Sequence, residues 1–421
     1  MHETATLQDS PIVRGIKTVG IGKRGSKPLN SGLIKEILQD LTQGRVNAVQ
    51  KAAFFAALME KGITEEEREL EKVFSGPVFN NPLQLAQELC PEAPEFVQKI
   101  CAEILSGNSL NRETAFRLGK FLFSDESGDS ARALVASYLR VRYETADEYE
   151  GLLRAMNATI EKPFCEKVPA GAPIIQLAEP FDGVDHSYLI TPLIADYIQT
   201  LGFRVVLLVG RNSGPKFGNN LSDLASRIDA TFAKSNQDLG VKKPDFGWYI
   251  HQKDLSKAVD RWVEIRHQTI KRPFLSTLER FMNPVNAKIH IASAFHPPYT
   301  EKMMTICERM GFPAAIIVRN GLEGTLSTFL NRSLKLFCSM RSCVDEYTHQ
   351  EFSIDPGQIS QKEIRVDENI SNPSLEENAR LVQNYKKTGQ SGSELFDLRV
   401  KVTCESVKKA IEWVSPRIEE Q

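Results

Sequence analysis

The sequence predicts an α/β protein: a small all-helical N-terminal domain carrying an extra helical repeat, and a larger α/β domain with a mostly parallel sheet. Three observations predict it. Apolar residues recur at helical spacing through residues 30–155. After about residue 170, short β-rich runs alternate with helical stretches, as in a parallel sheet covered by helices. A chain of 421 residues is long enough for a large core and two domains.

Residues 1–29 read as a polar, partly basic tail (Arg14, Lys17, Lys23, Arg24, Lys27), expected to be disordered. An arm for nucleic acid is the alternative. "LIKEILQDL" then sets Leu33, Ile34, Ile37, Leu38 and Leu41 on one helical face, and "VQKAAFFAALMEKG" ends on Gly62, a helix-terminating residue. Thr64–Glu67 has the Thr-x-x-Glu pattern of a capping box. The theme returns in "FVQKICAEILSGNSLNRETAFRLGKFLF" and "SARALVASYLRVRYETADEYEGLLRAM", where Thr145–Glu148 repeats the box. One helical unit thus looks used twice, over 30–92 and 93–168, with "CPEAPEF" between the copies. Residues 169–421 form the α/β domain. Its expected strands are Ile174–Leu177, Arg204–Val209, Lys288–Ala294 and Ala314–Val318, with helices at Leu189–Leu201 and Tyr299–Met310. Residues 255–281 read as helix joining the helical domain, 358–378 as loop plus strand, and two helices close the chain.

Composition narrows the function. A net charge of −2 supplies no global field toward nucleic acid or membrane, although local patches remain open. No apolar run reaches the ~18 residues of a membrane span. Seven cysteines without a CxxC pair read as reduced thiols in a cytoplasmic protein, with a Cys338–Cys343 disulfide left open.

Three stretches together resemble the anthranilate phosphoribosyltransferase-like family, which groups with glycosyltransferase family 3 and the pyrimidine nucleoside phosphorylases. They are "ILSGNSLNRETAFRL…LRVRYETADEYEGLLRAM", "EIRHQTIKRPFLSTLERFMNPVNA" and "AFHPPYTEKMMTICERMGFPAAIIVRNGLEG". In the second, Arg266, Arg272 and Asn283-Pro284 keep the family spacing. "ENARL" near Glu377 resembles the start of the family's C-terminal helix. The resemblance implies a homodimer through the helices, phosphoribosyl pyrophosphate in a cleft between domains, and Arg266 on the anthranilate carboxylate. It also implies a glycine-rich loop cradling pyrophosphate and an acidic pair holding Mg²⁺ on it.

Against that pattern, several positions depart. The loop after the first strand reads Glu179-Pro-Phe-Asp-Gly183, where the family has Gly-Thr-Gly-Gly-Asp. Pro180 removes an amide donor, Phe181 adds bulk, and Glu179 brings like charge toward a phosphate. Asp182, Asp185 and His186 are a plain turn or, alternatively, metal ligands. Thr191 keeps a hydroxyl at the next helix start. Gly210 is kept, and Arg211 and Lys216 add donors for phosphate. Beyond Arg319, Glu323 is present but the acidic pair is not, so Mg²⁺ is expected only if the chain is a working transferase. Lys257, Arg261, Arg266, Lys271, Arg272 and Arg280, with Arg211, Lys216 and Arg319, could line a basic cleft. Asp254, Asp260, Glu264 and Glu279 dilute that patch.

The reading is a divergent family member, weak or inactive as a transferase, that binds a phosphorylated small molecule or single-stranded nucleic acid in the interdomain cleft; its divergent loops resemble a subgroup of the family that lacks the transferase motifs and binds nucleic acid. The alternative is an active anthranilate phosphoribosyltransferase of tryptophan biosynthesis, or a related glycosyltransferase. Ligand-site candidates are Thr191, Gly210, Arg211, Lys216, Arg266, Arg272, Arg319 and Glu323; catalytic residues stay unassigned and no metal ligand is assigned.

Overall fold

The computed structural model describes residues 10–241, 243–319, 321–361, 370 and 373–415. The chain divides into two compact units. One holds residues up to Ala158 with Ser213–Pro215 and Arg261–Leu278; the other holds Thr159–Asn212, Lys216–Asp260 and Glu279 onward.

The first unit is helical: α1 (Pro11–Val19), α2 (Ser31–Thr42), α3 (Ala48–Lys61), α4 (Pro82–Leu89), α5 (Glu95–Leu105), α6 (Arg112–Leu122), α7 (Asp129–Arg142) and α8 (Ala146–Asn157). The expected disordered tail is corrected here. Pro11 starts a helix whose Ile12, Val13, Ile16 and Val19 are all buried, because their spacing gives an apolar stripe that α2 and α3 cover. Residues 1–9 lie outside the described residues.

The internal repeat is visible in individual bonds. Asn30 caps α2 by accepting the Leu33 amide, and Asn111 caps α6 by accepting the Thr114 amide. Glu67 is fully buried, accepting the amides of Leu29 and Thr64 (both 2.9 Å) and the Lys61 ammonium (2.7 Å). Glu148, also fully buried, accepts the amides of Leu110 (2.9 Å) and Thr145 (2.8 Å) and pairs with Arg142. Every member of the second set lies 81 residues after its counterpart. Helices α3 and α7, equivalent in the two copies, pack on each other. Even the left-handed backbone that ends each helix recurs, at Gly62 (φ 88°) and Tyr143 (φ 72°).

The second unit contains β1 (Ile174–Ala178), α9 (Thr191–Thr200), β2 (Arg204–Val209), α10 (Leu221–Arg227), β3 (Thr231–Phe232) and β4 (Trp248–His251). Short helices α11 (Gln252–Leu255) and α12 (Lys257–Asp260) follow. The chain then contributes α13 (Trp262–Thr269) and α14 (Leu275–Leu278) to the helical unit. It returns with β5 (Ile289–Ala294), α15 (Pro297–Arg309), β6 (Ala314–Arg319), β7 (Leu334–Arg341), β8 (Tyr347–Ile354), α16 (Pro356–Ser360), α17 (Leu375–Thr388) and α18 (Glu394–Val414). The sheet order is β3-β4-β2-β1-β5-β6-β7-β8. Strands β1 to β6 pair in parallel and are buried almost throughout, while β7 and β8 close the edge as an antiparallel hairpin.

All four expected strands form, within a residue or two at the ends. The helical segment expected over 255–281 forms as several short helices. Ser256 is extended, Ile270 is left-handed (φ 63°), and Pro273 disfavours helix at the residue before it, so the segment breaks into short pieces. The strand expected within 358–378 falls largely outside the described residues; its flanks are helices α16 and α17. All seven cysteines are free, so the disulfide left open between Cys338 and Cys343 is not formed. No helix among the described residues is long and apolar enough to cross a membrane.

Burial by itself pushes the Glu67 carboxyl up, but the Lys61 ammonium and the two amides outweigh it and hold it below its ordinary value. A depressed carboxyl contributes stability that is present above its unfolded-state pKa and lost as pH falls through the folded value. Glu67→Ala is therefore expected to destabilise by about 3–5 kcal/mol, as removing one partner of a buried pair does. Glu67→Gln should lose less stability than wild type as the solution is acidified below about pH 4.3. Chemical denaturation at neutral and acid pH reads both.

Candidate functional site

Because β2 lies on one side of β1 and β5 on the other, the connections part company at the β1/β5 boundary. In open α/β sheets the crevice beyond the carboxyl ends of the strands at such a point is where ligands bind. Here it receives the turn after β1, the segments after β2 and β5, and the turn after β6.

Glu179, the first residue beyond β1, is 2% exposed. Its Oε1 accepts the Thr191 hydroxyl, at the start of α9, and the Leu326 amide at 2.7 Å. Its Oε2 is buried without a hydrogen-bond partner. Burial raises its pKa, and the Thr191 and Leu326 bonds and the Arg280 charge only partly oppose this. Arg280 is itself buried, donating to the Ser293 carbonyl at 3.1 Å near the end of β5. The Tyr249 phenol, Ser293 Oγ and Ser327 Oγ are also buried without hydrogen-bond partners. Burial, then the Glu179 charge, drive the Tyr249 pKa up. Each orphaned polar atom costs about 1–3 kcal/mol and calls for a partner, such as a water, an ion or a ligand.

A second carboxylate lies alongside. Glu323, in the left-handed region (φ 53°), accepts the amides of Asp185 (2.8 Å) and His186 (2.6 Å) on Oε2 and the Lys216 ammonium on Oε1. Burial raises its pKa, but Lys216 and the two amides win and the net direction is down. Successive amides with a lysine are the donor set of an anion cradle, and here an internal carboxylate fills it. The turn is fixed by close backbone approach. Gly183 (φ 78°) lies against the Gly218 carbonyl, and Val184 bridges to Asn219 in both directions (2.9 and 3.0 Å). Gly321 is required because a Cβ there would collide with the Thr325 carbonyl and Ser293 Oγ.

The candidates named from sequence separate into two groups. Thr191, Gly210, Arg211, Lys216, Arg319 and Glu323 belong to the α/β unit, Arg266 and Arg272 to the helical unit. Thr191 meets Glu179, and Lys216 meets Glu323. Gly210 packs against the Phe181 ring, and its carbonyl accepts from Asn220 (3.2 Å). Arg211 is paired with Asp260 (3.0 Å). Arg319 ends β6 opposite Ala294, its guanidinium 5.9 Å from the Phe337 ring centre. Arg266 is buried and donates to Ser276 (2.8 Å). Arg272 lies between α13 and α14. The metal alternative at Asp182, Asp185 and His186 is not assembled. The His186 ring faces the Ile370 carbonyl (3.1 Å), and no group of three His, Cys, Asp or Glu among the described residues could hold a metal. Tyr249, Ser293, Thr325 and Ser327 were not singled out from sequence, because nothing local distinguishes a strand-end serine from any other.

No family model matches the chain. It is 21% identical over 309 residues to an uncharacterized protein of Aquifex aeolicus (strain VF5), covering 72% of this chain and 91% of that one. It is 24% identical to the anthranilate phosphoribosyltransferase of Geobacillus stearothermophilus over 54% of this chain, and spans only 66% of that enzyme. Among solved structures, the anthranilate phosphoribosyltransferase of Thermus thermophilus superposes with a TM-score of 0.54 at 17% identity, covering 77% of this chain and 99% of that one. The Saccharomyces cerevisiae enzyme, in complex with PRPP and Mg, gives 0.59 at 14% identity over 78% of this chain and 92% of its own. The fold is that of anthranilate phosphoribosyltransferase. The anthranilate phosphoribosyltransferase-like fold is thus shared, while the low identities agree with the divergent strand-end residues.

Glu179 carries a testable sign. A carboxyl whose folded pKa is raised contributes most below its unfolded value, and that contribution is lost as pH rises through the folded value. Relative to wild type, Glu179→Gln should therefore gain stability as pH rises. Parallel melting curves for the two proteins across acid and alkaline buffers check this.

Proposed function

We propose that this chain uses an anthranilate phosphoribosyltransferase-like fold to bind a phosphate-bearing ligand, a phosphorylated small molecule or single-stranded nucleic acid, without Mg²⁺-assisted phosphoribosyl transfer. The observation that carries the reading is Glu179: a buried carboxylate occupies the strand end where pyrophosphate would need glycine backbone, and takes up Thr191 and Leu326 as its own partners. Lys216, with the amides of Asp185 and His186, supplies the anion-binding donors that remain, and Glu323 must be displaced for a ligand to reach them. The names of the curated transferase relatives support the second reading, an active enzyme. Losing preorganised charge stabilisation costs about 10²–10³ in rate per group, so that reading demands compensation the strand ends do not offer.

Steady-state assay of phosphoribosyl pyrophosphate with anthranilate, with and without Mg²⁺, should give turnover far below about 1 s⁻¹, the lower end of ordinary enzyme rates. Turnover at that level restores the transferase reading. In the same preparation, phosphoribosyl pyrophosphate and an oligonucleotide should bind at low salt and weaken steeply with added salt. Lys216→Ala should weaken whichever binds.

A homodimer through the helical unit belongs to the same proposal, since two copies of the helical repeat present more apolar stripe than a single one. Sedimentation of the full chain at micromolar concentration should show a dimer, and a monomer removes this part.

A further inference from the structure

The sheet ends differently on its two sides. On one side the last strand, β3, has two residues, too short a template for another chain. On the other, β8 runs for eight residues, Tyr347–Ile354, and among the described residues no strand pairs with its outer side. It reads Tyr-Thr-His-Gln-Glu-Phe-Ser-Ile, without the lysine or proline that commonly blunts an edge. Thr348, His349, Gln350, Glu351 and Ser353 are exposed.

The ladder with β7 fixes which main-chain groups face outward. Arg341 donates its amide to the Pro313 carbonyl (2.8 Å), away from β8, so Arg341 and its partner Tyr347 exchange no bonds. Antiparallel pairs alternate between bonded and unbonded. Thr348, Gln350, Phe352 and Ile354 therefore bond to β7, while the N–H and C=O groups of Tyr347, His349, Glu351 and Ser353 point away from the sheet. Side chains alternate in the same register. Phe352 and Ile354 pack toward the core, with the Lys409 ammonium of α18 5.3 Å from the Phe352 ring centre. On the opposite face the Tyr347 hydroxyl donates to the Phe312 carbonyl (3.0 Å), and His349 Nε2 lies 2.7 Å from the Glu308 carboxylate of α15. Glu351, on that face too, accepts the Lys335 ammonium (2.5 Å).

We propose that β8 pairs with β8 of a second copy of this chain, antiparallel about a two-fold axis at Gln350, so that one sheet continues across two copies. The charges choose this register. Only residues with outward main-chain groups exchange bonds, so the two-fold pairs with the longest overlap centre on 349, 350 or 351. A centre at 349 sets His349 against itself, and one at 351 sets Glu351 against itself. The centre at 350 sets His349 opposite Glu351 twice. Opposite charges directly across a strand pair stabilise it, and like charges do the reverse. Acidic and basic residues then alternate along one face: Glu308, His349, and Glu351 and Lys335 of the second copy. Tyr347 and Ser353 bond across as well, giving about eight main-chain bonds. A two-fold contact needs a surface that complements itself, and this strand does. The surface belongs to the α/β unit and is independent of the helical contact proposed above.

The test is disulfide trapping in the full chain. The background replaces the exposed Cys165 and Cys343, and Cys338, which lies opposite Gln350 on β7 (Cys165→Ser, Cys343→Ser, Cys338→Ala). In the proposed register Gln350 faces Gln350 of the second copy as an unbonded pair, with Cα atoms about 4.5 Å apart, inside the range a disulfide spans. Gln350→Cys should therefore give a linked dimer under mild oxidation. Thr348→Cys, also exposed and on the same face, meets Phe352 of the second copy and should not link. Sedimentation in reducing buffer gives a second readout. His349→Glu sets like charges across the pair and should weaken association through β8 about tenfold, whereas His349→Lys should keep it within about twofold. Melting curves that match wild type show that each variant folds. Failure of Gln350→Cys to link, equal linking by Thr348→Cys, or equal association of His349→Glu and wild type overturns the proposal. The helical contact is read separately: association that persists in His349→Glu, with no Gln350→Cys link, keeps that contact and removes this one.

Discussion

The carboxylate of Glu179, withdrawn from water at the end of the central strand, is the constraint around which the strand-end region is organised. A carboxyl group buried there must be satisfied from within the protein. The Thr191 hydroxyl that starts α9 and the Leu326 amide beyond β6 both turn to it. Turns following two different strands are thereby tied to one side chain. Arg280 acts on it through charge, and its own bond goes to the end of β5. A site built this way is already full of protein groups at the point where a glycine loop would stay open.

Glu323 applies the same logic at the next position. It accepts two successive amides and a lysine, as a bound phosphate oxygen would, so these donors are taken up by an internal carboxylate. Sharing a fold with anthranilate phosphoribosyltransferase therefore does not by itself carry the reaction, because function resides in the groups placed on the fold. The two carboxylates differ in electrostatic sense. Burial governs Glu179 and favours its neutral form, whereas Glu323, with a lysine on one oxygen, is held charged.

The helical unit shows duplication with one informative asymmetry. Buried glutamate, capping threonine, asparagine cap and helix-ending cation recur at the same offset, so the two copies share a common set of internal bonds. What differs is the residue forced into left-handed backbone: glycine in the first copy, tyrosine in the second. Glycine meets that geometry without penalty, and a tyrosine does so at a cost in strain. The departure falls beside the loop that carries Lys23, Arg24 and Lys27.

Much of the architecture was legible in the sequence because it is written in short-range patterns. The helical period of residues 30–155, both Thr-x-x-Glu boxes and the four apolar strand runs each depend on neighbours a few residues away. The sequence by itself also determined that the turn after β1 reads Glu179-Pro-Phe-Asp-Gly183, with a single glycine. It did not reveal that residues 11–19 fold, since basic residues between the apolar ones of "PIVRGIKTV" mask a stripe that only α2 and α3 complete. It did not reveal the breaks in 255–281 at Ser256 and Ile270, although Pro273 signalled one between α13 and α14. Tertiary structure alone decided what each charged side chain does. Arg211 is spent on Asp260, Lys216 on Glu323, and Glu179 on Thr191, pairings across separations of 12 to 107 residues. Local sequence carries no signal for them, because whether a charge is free or neutralised is set by which distant segments the fold brings within a few ångströms.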